Sequence, residues 1–374
     1  MADDTSDTHG TNGRRAARAS GRRRGTTPRR RMLRIAVWAV AGLVVLGSAG
    51  AGYLYFKFNG NIKSVDIQAA LGNDRPPEVD NGSQDILVLG SDSRAGKNNQ
   101  YGTDEGSARS DTAMIVHLYQ GHKKASVVSI PRDTLITRPE CAKPGGGTSP
   151  EARKVMFNES YSVGGPACAV KTVESMTGIR MDHYVEVDFT GFKGLIDALG
   201  GVPVTTTKAI HDKSSHLDLA AGTHTLNGEQ SLGLVRTRHG VADGSDLGRI
   251  QLQQAFMKAL MDRVNGLGVL SSPTQLYKVA DKATKAITTD SQLASVKGLM
   301  SLAGSLKGLS SSNINMVTLP VQYAKSDPNR VEPLDQQAAL VWQALKAGLP
   351  IPAGATKGSA GDEVTAKGVV GSGS

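Results

Sequence analysis

The sequence lacks the short motifs that identify three common kinds of site. It contains no G-x-x-x-x-G-K-[ST] loop, no H-E-x-x-H pair and no G-x-S-x-G elbow. These absences argue against P-loop nucleotide binding, zinc proteases and serine hydrolases of the elbow type. No internal repeat is present either, which argues against a solenoid or a propeller.

Charged residues are absent from residues 35–56, a run of 22 amino acids. As a helix rising about 1.5 Å per residue, this run is about 33 Å long, which is enough to cross a bilayer. Ten arginines precede the run, whereas only Lys57 and Lys63 follow it closely. The positive-inside rule therefore places the N-terminus in the cytoplasm and predicts an exported domain. A cleaved signal peptide is the alternative, but its apolar region has only about 7–15 residues.

Acidic residues are few at the N-terminus. Residues 1–34 contain ten arginines and three aspartates, so they carry +7 of the formal net charge of +9. Such an Arg-rich arm with Gly, Ser and Thr has too little apolar surface to fold, and we predict that it is disordered. Membrane topology and anionic lipids account for the arm, which argues against nucleic acid as a partner.

Cysteine is scarce as well, since only Cys141 and Cys168 occur. Two ligands are too few for a Cys-only metal site. Both residues lie in the predicted exported part, where an oxidising environment permits a disulfide across a Pro/Gly-rich stretch. Two unpaired buried thiols are the alternative.

Composition divides the chain into five segments. A polar stretch with Pro76-Pro77 follows the apolar run and is typical of a stalk, and the last residues are rich in Gly, Ser, Ala and Lys. We predict a disordered basic cytoplasmic arm (1–34), a transmembrane helix (35–56), a stalk (57–83), an extracytoplasmic folded domain (84–352) and a disordered tail (353–374).

Strand and helix patterns alternate within the predicted domain. Apolar runs such as DILVLG, TAMIVHLY and ASVVSI are typical of buried strands, and the last two are joined by a short hairpin turn. Amphipathic helices are predicted at 167–178, 246–265, 273–286, 292–306 and 335–346. This order predicts an α/β fold with a mixed central sheet between two layers of helices.

Four clusters of arginine and aspartate stand at strand ends or helix starts. Open α/β sheets bind ligands beside the carboxyl ends of their strands, so these clusters are candidate site residues. The clusters are GSDSR with Asp92 and Arg94, ARSDT with Arg109 and Asp111, IPRDT with Arg132 and Asp133, and RTRHGVADGSDLGRIQLQQ with Arg236, Arg238, Asp246, Arg249 and Gln253.

This mixture of residue types suits a pyrophosphate bound with a metal ion. Arginine forks match phosphate oxygens, whereas carboxylates suit a hard cation such as Mg²⁺. Arg236 and Arg238 share a face if their segment is extended, and Asp246, Arg249 and Gln253 line one face near a helix N-terminus, which favours anions. The alternative for each cluster is an ordinary surface salt bridge.

At these clusters the sequence resembles the LytR-CpsA-Psr family of cell-envelope enzymes. The resemblance is strong over residues 84–265 and weak elsewhere. It rests on six motifs that occur in this order: LVLGSDSR, RSDTAMIVHL, VSIPRDT, NESYSVGG, DFTGFKGLIDALGGVPV and RTRH…DLGRIQLQQ. The predicted membrane topology agrees with that of the family.

The resemblance implies a sheet sandwiched by helices, with a deep apolar groove for a polyprenyl chain and a charged mouth for its pyrophosphate. It implies transfer of a glycopolymer, such as a teichoic acid, from polyprenyl pyrophosphate to peptidoglycan. By motif position, Asp92 and Asp111 hold Mg²⁺ or Mn²⁺. The implied catalytic residues are Asp92, Arg94, Asp111, Arg132, Arg236 and Arg238, and the implied substrate-binding residues are Arg109, Asn158, Asp246, Arg249 and Gln253.

Two features relate the sequence to parts of the family. Cys141 and Cys168 resemble a pair found in actinobacterial members, which supports the disulfide. Many relatives have a lysine where this chain has Met156, which leaves the role of Lys154 open. Two other functions also remain open: a polyprenyl-pyrophosphate pyrophosphatase, and a non-catalytic scaffold or regulator that binds lipid phosphates.

Overall fold

A long helix contains the uncharged run. In the computed structural model, which describes residues 28–91, 110–238, 244–268, 272–363 and 370–373, helix α1 extends over Pro28–Asn61. Within it, Ala36–Asn61 is long and apolar enough to cross a membrane. This helix fits the predicted single-pass membrane protein. Residues 1–27 of the arm that was predicted to be disordered (1–34) lie outside the described residues. The prediction is wrong for residues 28–34, which form the start of α1.

The chain divides into two compact units, residues 1–54 and 55–374. Helices and strands alternate along the second unit. Its helices are α2 (Ile67–Leu71), α3 (Phe157–Thr177), α4 (Phe189–Ala198), α5 (Gly228–Arg236), α6 (Asp246–Gly266), α7 (Pro273–Ala286), α8 (Val296–Leu306), α9 (Asp335–Lys346) and α10 (Ala360–Glu363). Its strands are β1 (Lys63–Val65), β2 (Gln84–Ser91), β3 (Ser110–Leu118), β4 (Ala125–Ile130), β5 (Leu135–Arg138), β6 (Cys141–Ala142), β7 (Thr148–Ser149), β8 (Ala152–Met156), β9 (His183–Asp188), β10 (Val202–Thr206), β11 (Ile210–Asp212), β12 (Leu217–Leu219), β13 (Gly222–Leu226), β14 (Ile287–Asp290), β15 (Ile314–Thr318), β16 (Val321–Ala324), β17 (Asp327–Pro333) and β18 (Val370–Ser372).

A seven-stranded mixed sheet forms the centre, in the order β1-β14-β9-β2-β3-β4-β15. The hairpin β3–β4 is antiparallel, as predicted, whereas β9 is parallel to β2 and β15 is parallel to β4. Alternate residues of β2 enter two separate cores: Leu87 packs in the larger and Ile86 in the smaller. A strand that is apolar on both sides must be covered on both faces. The predicted α/β architecture is therefore confirmed.

Local side-chain contacts fix several helix ends. α7 and α9 have the predicted bounds, but α8 begins at Val296 rather than at residue 292. The reason is that the Asp290 carboxylate accepts hydrogen bonds from the backbone of Gln292 and Leu293, which forms a turn, and Ser295 caps the helix instead. Side chains that bond to nearby backbone groups compete in this way with helix formation.

Helix α3 begins ten residues earlier than predicted, at Phe157. Its two halves are separated by Gly164 and Gly165, whose backbone is not helical. Space requires glycine at position 164, because a Cβ there would lie 2.6 Å from the Cβ of Cys168. A disulfide between Cys141 and Cys168 joins β6 to the second half of α3, as predicted.

The stretch predicted to be a stalk is partly built into the second unit. β1 pairs in parallel with β14 at the edge of the central sheet. Arg75 and Glu174 form an ion pair with side chains only 2% and 3% exposed, and Arg75 also donates to the carbonyl of Met181 at 2.8 Å. The folded part therefore begins before Gln84, because a polar segment can pack when its charges find buried partners.

The prediction of a disordered tail from residue 353 is wrong for its described parts. Ala355 and Ala360 are buried, and β18 pairs with β10. Small side chains allow close approach, and strand pairing uses backbone groups that every residue except proline supplies. Composition alone could not distinguish this packing from disorder.

Arg75→Ala should lower the free energy of unfolding by about 3–5 kcal/mol, because the change leaves Glu174 buried without its cation. The measurement is urea unfolding of the full chain in detergent. Arg153→Ala is the matched control, since its pair with Glu151 is exposed and should contribute at most about 1 kcal/mol. Equal losses from the two variants would contradict the assignment of residues 57–83 to the folded unit.

Candidate active site

Four strand ends meet at one edge of the central sheet. β2, β4 and β9 run in the same direction and end there, and β3 starts there because it is antiparallel to β2 and β4. A cavity of about 370 Å³ opens at this edge. Its described lining is Gly90, Asp111, Thr112, Arg132, Phe189, Asp212, Ser214, Val235, Arg236, Arg238, Arg249 and Gln253.

The second and third clusters meet through an ion pair. Nη1 of Arg132, which follows β4, donates to Oδ1 of Asp111 in β3. Nε of Arg132 lies 3.6 Å from Asp133 and 3.7 Å from Asp246. Asp133 in turn lies 3.6 Å from Nη1 of Arg330 in β17. The Arg132 side chain is therefore held by carboxylates from three parts of the chain.

The fourth cluster joins the same network through Asp246, the first residue of α6. Its carboxylate pairs with Arg249 one turn later and lies 3.5 Å from Nη2 of Arg238. Arg249 is buried, and its Nη2 donates to the backbone carbonyl of Asp111 at 3.0 Å. Neither oxygen of Asp246 has a hydrogen bond of good geometry among the described groups. The negative charge of Asp246 thus holds Arg132, Arg238 and Arg249 close to one another.

Two other predicted residues border the cavity in different ways. The guanidinium of Arg236 lies 5.1 Å from the centre of the Phe189 ring, a cation–π contact that orients it. Gln253 donates its side-chain amide to Thr112 Oγ1 at 3.0 Å and to the carbonyl of Val235 at 2.9 Å. In this structure Gln253 therefore uses its donors to join β3, α5 and α6.

Electrostatics keep the Asp111 carboxyl charged. Burial by itself raises the pKa of Asp111, but Arg249 and Arg132 outweigh burial and hold this pKa below its usual value. For Arg132, burial lowers the pKa but Asp111, Asp133 and Asp246 raise it above the usual value. Burial lowers the pKa of Arg249, and Asp246 only partly offsets this effect. The charges of the network therefore depend on one another.

The structure places the other predicted residues as follows. Asp92, Arg94 and Arg109 lie outside the described residues. Asn158 is buried at the start of α3, and its backbone N–H donates to the carbonyl of Arg132 at 3.1 Å. Lys154 lines a separate cavity of about 540 Å³ beside Arg153.

Sequence reasoning missed Asp212. Its carboxylate accepts hydrogen bonds from the backbone N–H of Arg238 and of Ser214, both at 2.9 Å, and so fixes the backbone at Arg238. The signal was present in the sequence, since aspartate two residues before serine is typical of an Asx turn. Phe189 was also missed, because an apolar residue after a strand carries no signal of its own.

Comparison with known proteins identifies the family. The model of the LytR_cpsA_psr family matches residues 54–347. The chain belongs to the LytR-CpsA-Psr family. The match includes every described residue of the cavity, so the arginines and aspartates around it lie in the family's domain rather than in an appended segment.

Two curated relatives are cell-wall proteins. The chain is 32% identical to the cell wall biosynthesis protein LcpA of Corynebacterium glutamicum over 341 residues, which cover 81% of this chain and 64% of LcpA. It is 34% identical over 299 residues to TagT of Bacillus subtilis, named polyisoprenyl-teichoic acid–peptidoglycan teichoic acid transferase, covering 76% of this chain and 86% of TagT. The match thus spans less than two thirds of LcpA.

A solved structure shows the same fold. TagT bound to LI-WTA superposes with a TM-score of 0.55 at 26% identity, over 76% of this chain and 99% of that chain. The predicted family resemblance is therefore confirmed by sequence and by fold.

Asp111→Asn should destabilise the protein in a pH-dependent way. The folded-state pKa of Asp111 is lowered, so its charge stabilises the fold above the ordinary pKa of about 3.9, and this contribution is lost as pH falls through the lower folded-state value. Urea unfolding between pH 7 and pH 2 should show the difference between wild type and variant shrinking at the acid end. Exposed Asp80→Asn controls for loss of a carboxyl. A difference independent of pH would contradict this electrostatic account.

Proposed function

We propose that this protein transfers a glycopolymer from a polyprenyl-pyrophosphate carrier to peptidoglycan. The observation that carries the proposal is the convergence of Arg132, Arg236, Arg238 and Arg249 with the ionised Asp111 around one cavity. Guanidinium groups bind phosphate oxygens with two parallel hydrogen bonds, so such a cluster suits a pyrophosphate. The printed name of TagT, a teichoic acid transferase to peptidoglycan, supports the same class of reaction.

The arginines have two different tasks in this proposal. Arg132 and Arg249 are held within the protein by Asp111 and Asp246, so they form a fixed positive wall. Arg236, which borders the cavity beside Phe189, and Arg238, whose side chain is 32% exposed, supply the groups that bind the two phosphates. A fixed wall stabilises charge that develops on phosphate oxygens without the cost of rearranging solvent.

The proposed reaction breaks a phosphoanhydride bond and forms a phosphate ester bond. A hydroxyl oxygen of peptidoglycan forms a bond to the phosphorus that carries the glycopolymer, and the bond from that phosphorus to the bridging oxygen breaks. Polyprenyl phosphate leaves, and the hydroxyl proton is released. Since phosphoryl transfer requires mainly positioning and charge neutralisation, the described residues suit this task.

A divalent metal ion, Mg²⁺ or Mn²⁺, is part of the proposal. Among the described residues there is no group of three or more His, Cys, Asp or Glu that could hold a metal. Mg²⁺, however, is commonly bound by one or two carboxylates together with substrate phosphates. Asp111 fits, because it lines the cavity and its lowered pKa keeps it charged, and the resemblance adds Asp92. The bound ion would supply positive charge to the phosphate oxygens.

The membrane orientation completes the proposal. Helix α1 contains one candidate span, and the arginines before it favour a cytoplasmic N-terminus. The second unit would then lie outside the cytoplasm, where peptidoglycan is located, and the carrier lipid would lie in the same bilayer as α1.

Arg236→Ala should reduce the rate of transfer by about 10²- to 10³-fold, the loss that follows removal of one preorganised donor from a charged transition state. The assay uses the full chain in detergent with a polyprenyl-pyrophosphate glycan, peptidoglycan and Mg²⁺, and it measures glycan attached to peptidoglycan. Exposed Arg153→Ala is the control and should keep the wild-type rate.

The same assay separates the alternatives. Phosphate-linked glycan released at an equal rate with and without peptidoglycan would show a pyrophosphatase. Lipid binding without turnover, unaffected by Asp111→Ala, would show a scaffold or regulator. Removal of divalent metal with a chelator should abolish transfer, and undiminished transfer would contradict the metal site.

A further inference from the structure

Helix α8 is apolar, yet none of its residues is fully buried, and Leu302 is only partly buried where it packs against the smaller core. Its sequence is VKGLMSLAGSL, and Met300 and Leu306 are 69% and 40% exposed. In the neighbouring α7, Leu276 and Tyr277 are 40% and 38% exposed. Several apolar side chains exposed on one helix commonly mark a surface that contacts a partner or a membrane.

Both helices are attached to the end of α1. The backbone N–H of Val296, the first residue of α8, donates to Oδ1 of Asn59 at 2.8 Å. In α7, the hydroxyl of Tyr277 accepts from Nζ of Lys57 at 2.5 Å, and the rings of Tyr277 and Phe58 are 5.7 Å apart. The apolar span of α1 ends at Asn61. α7 and the start of α8 therefore lie where the chain leaves the apolar span.

Positive charge dominates the exposed part of these helices. Between residues 272 and 307 there are five exposed lysines and two aspartates. Asp281 is paired with Lys57 and Lys285, and Asp290 is buried. The exposed lysines are Lys278, Lys282, Lys285, Lys297 and Lys307. Lysines close to a bilayer are attracted to anionic headgroups, so this charge favours a lipid surface.

We propose that the exposed apolar and lysine side chains of α7 and α8, here named the α7–α8 surface, dock on the anionic bilayer that α1 crosses. Met300 and Leu306 would enter the boundary between headgroups and acyl chains, while Lys297 and Lys307 bind headgroups. This mode is that of an amphipathic helix lying in the interface. The inference rests on membrane spanning by α1 but not on the proposed catalytic activity. Docking would hold the second unit at a fixed height above the bilayer.

A spin label at Met300→Cys tests the proposal in the full chain. The variant offers the label one reactive thiol, because Cys141 and Cys168 are bonded to each other. The protein is placed, one copy per disc, in nanodiscs of phosphatidylcholine with or without phosphatidylglycerol. The collision rates of the nitroxide with oxygen and with a water-soluble nickel complex report whether it lies in lipid or in water. Leu340→Cys, exposed on α9, is the matched control.

The proposal predicts that in anionic discs the label at position 300 collides more often with oxygen than with the nickel complex, as expected in lipid. The label at position 340 should collide more often with the nickel complex, as expected in water. Lys297→Gln with Lys307→Gln should shift the label at 300 towards the aqueous result, and Lys123→Gln with Lys124→Gln should not. Three outcomes would overturn the proposal: aqueous results at both positions, equal insertion in uncharged discs, or exclusion from water only when two copies share a disc. The last would show that a second copy covers the surface. Catalytic failure would change none of these readouts.

Discussion

The site depends on two carboxylates that hold like-charged guanidinium groups together. Arg132, Arg238 and Arg249 would repel one another at close range without a shared counterion. Asp246 lies within 3.7 Å of Arg132 and 3.5 Å of Arg238 and pairs with Arg249, and Asp111 binds Arg132 and accepts from Arg249 through its carbonyl. The positively charged cavity can therefore form before a substrate binds. Its formation requires the burial of charged groups whose pKa values depend on one another.

The fold supplies the positions for this network. Antiparallel pairing of β3 with β2 and β4 brings Asp111 next to the end of β4, where Arg132 follows. The N-terminus of α6 places Asp246 and Arg249 one turn apart, and Asp212 fixes the backbone of Arg238. Each charged side chain thus stands at the end of a rigid element, which is a general requirement for a site that must be preorganised.

The sequence predicted the sheet and most helices, and it singled out Asp111, Arg132 and Asp246, which the structure brings together. Each of these features has a local signature in periodicity or in charged residues at strand ends, whereas the first cluster lies outside the described residues. It could not predict the partners that are distant along the chain. The pairing of β1 with β14 and of β18 with β10 lies in segments whose composition favours disorder. Asp212 accepts a hydrogen bond from the backbone of Arg238, which lies 26 residues further along the chain. Phe189 contacts the guanidinium of Arg236, and no sequence pattern indicates this contact. These strand pairs and contacts form through tertiary packing, which composition does not reveal.

The central claim is that one cavity binds the pyrophosphate of a lipid-linked glycan. The most direct measurement is a crystal structure of the second unit, residues 55–374, with a prenyl pyrophosphate and Mg²⁺. The account predicts phosphate oxygens within hydrogen-bonding distance of Arg236 and Arg238, with the cation on Asp111. Phosphates bound elsewhere, with these arginines facing only protein and water, would contradict it.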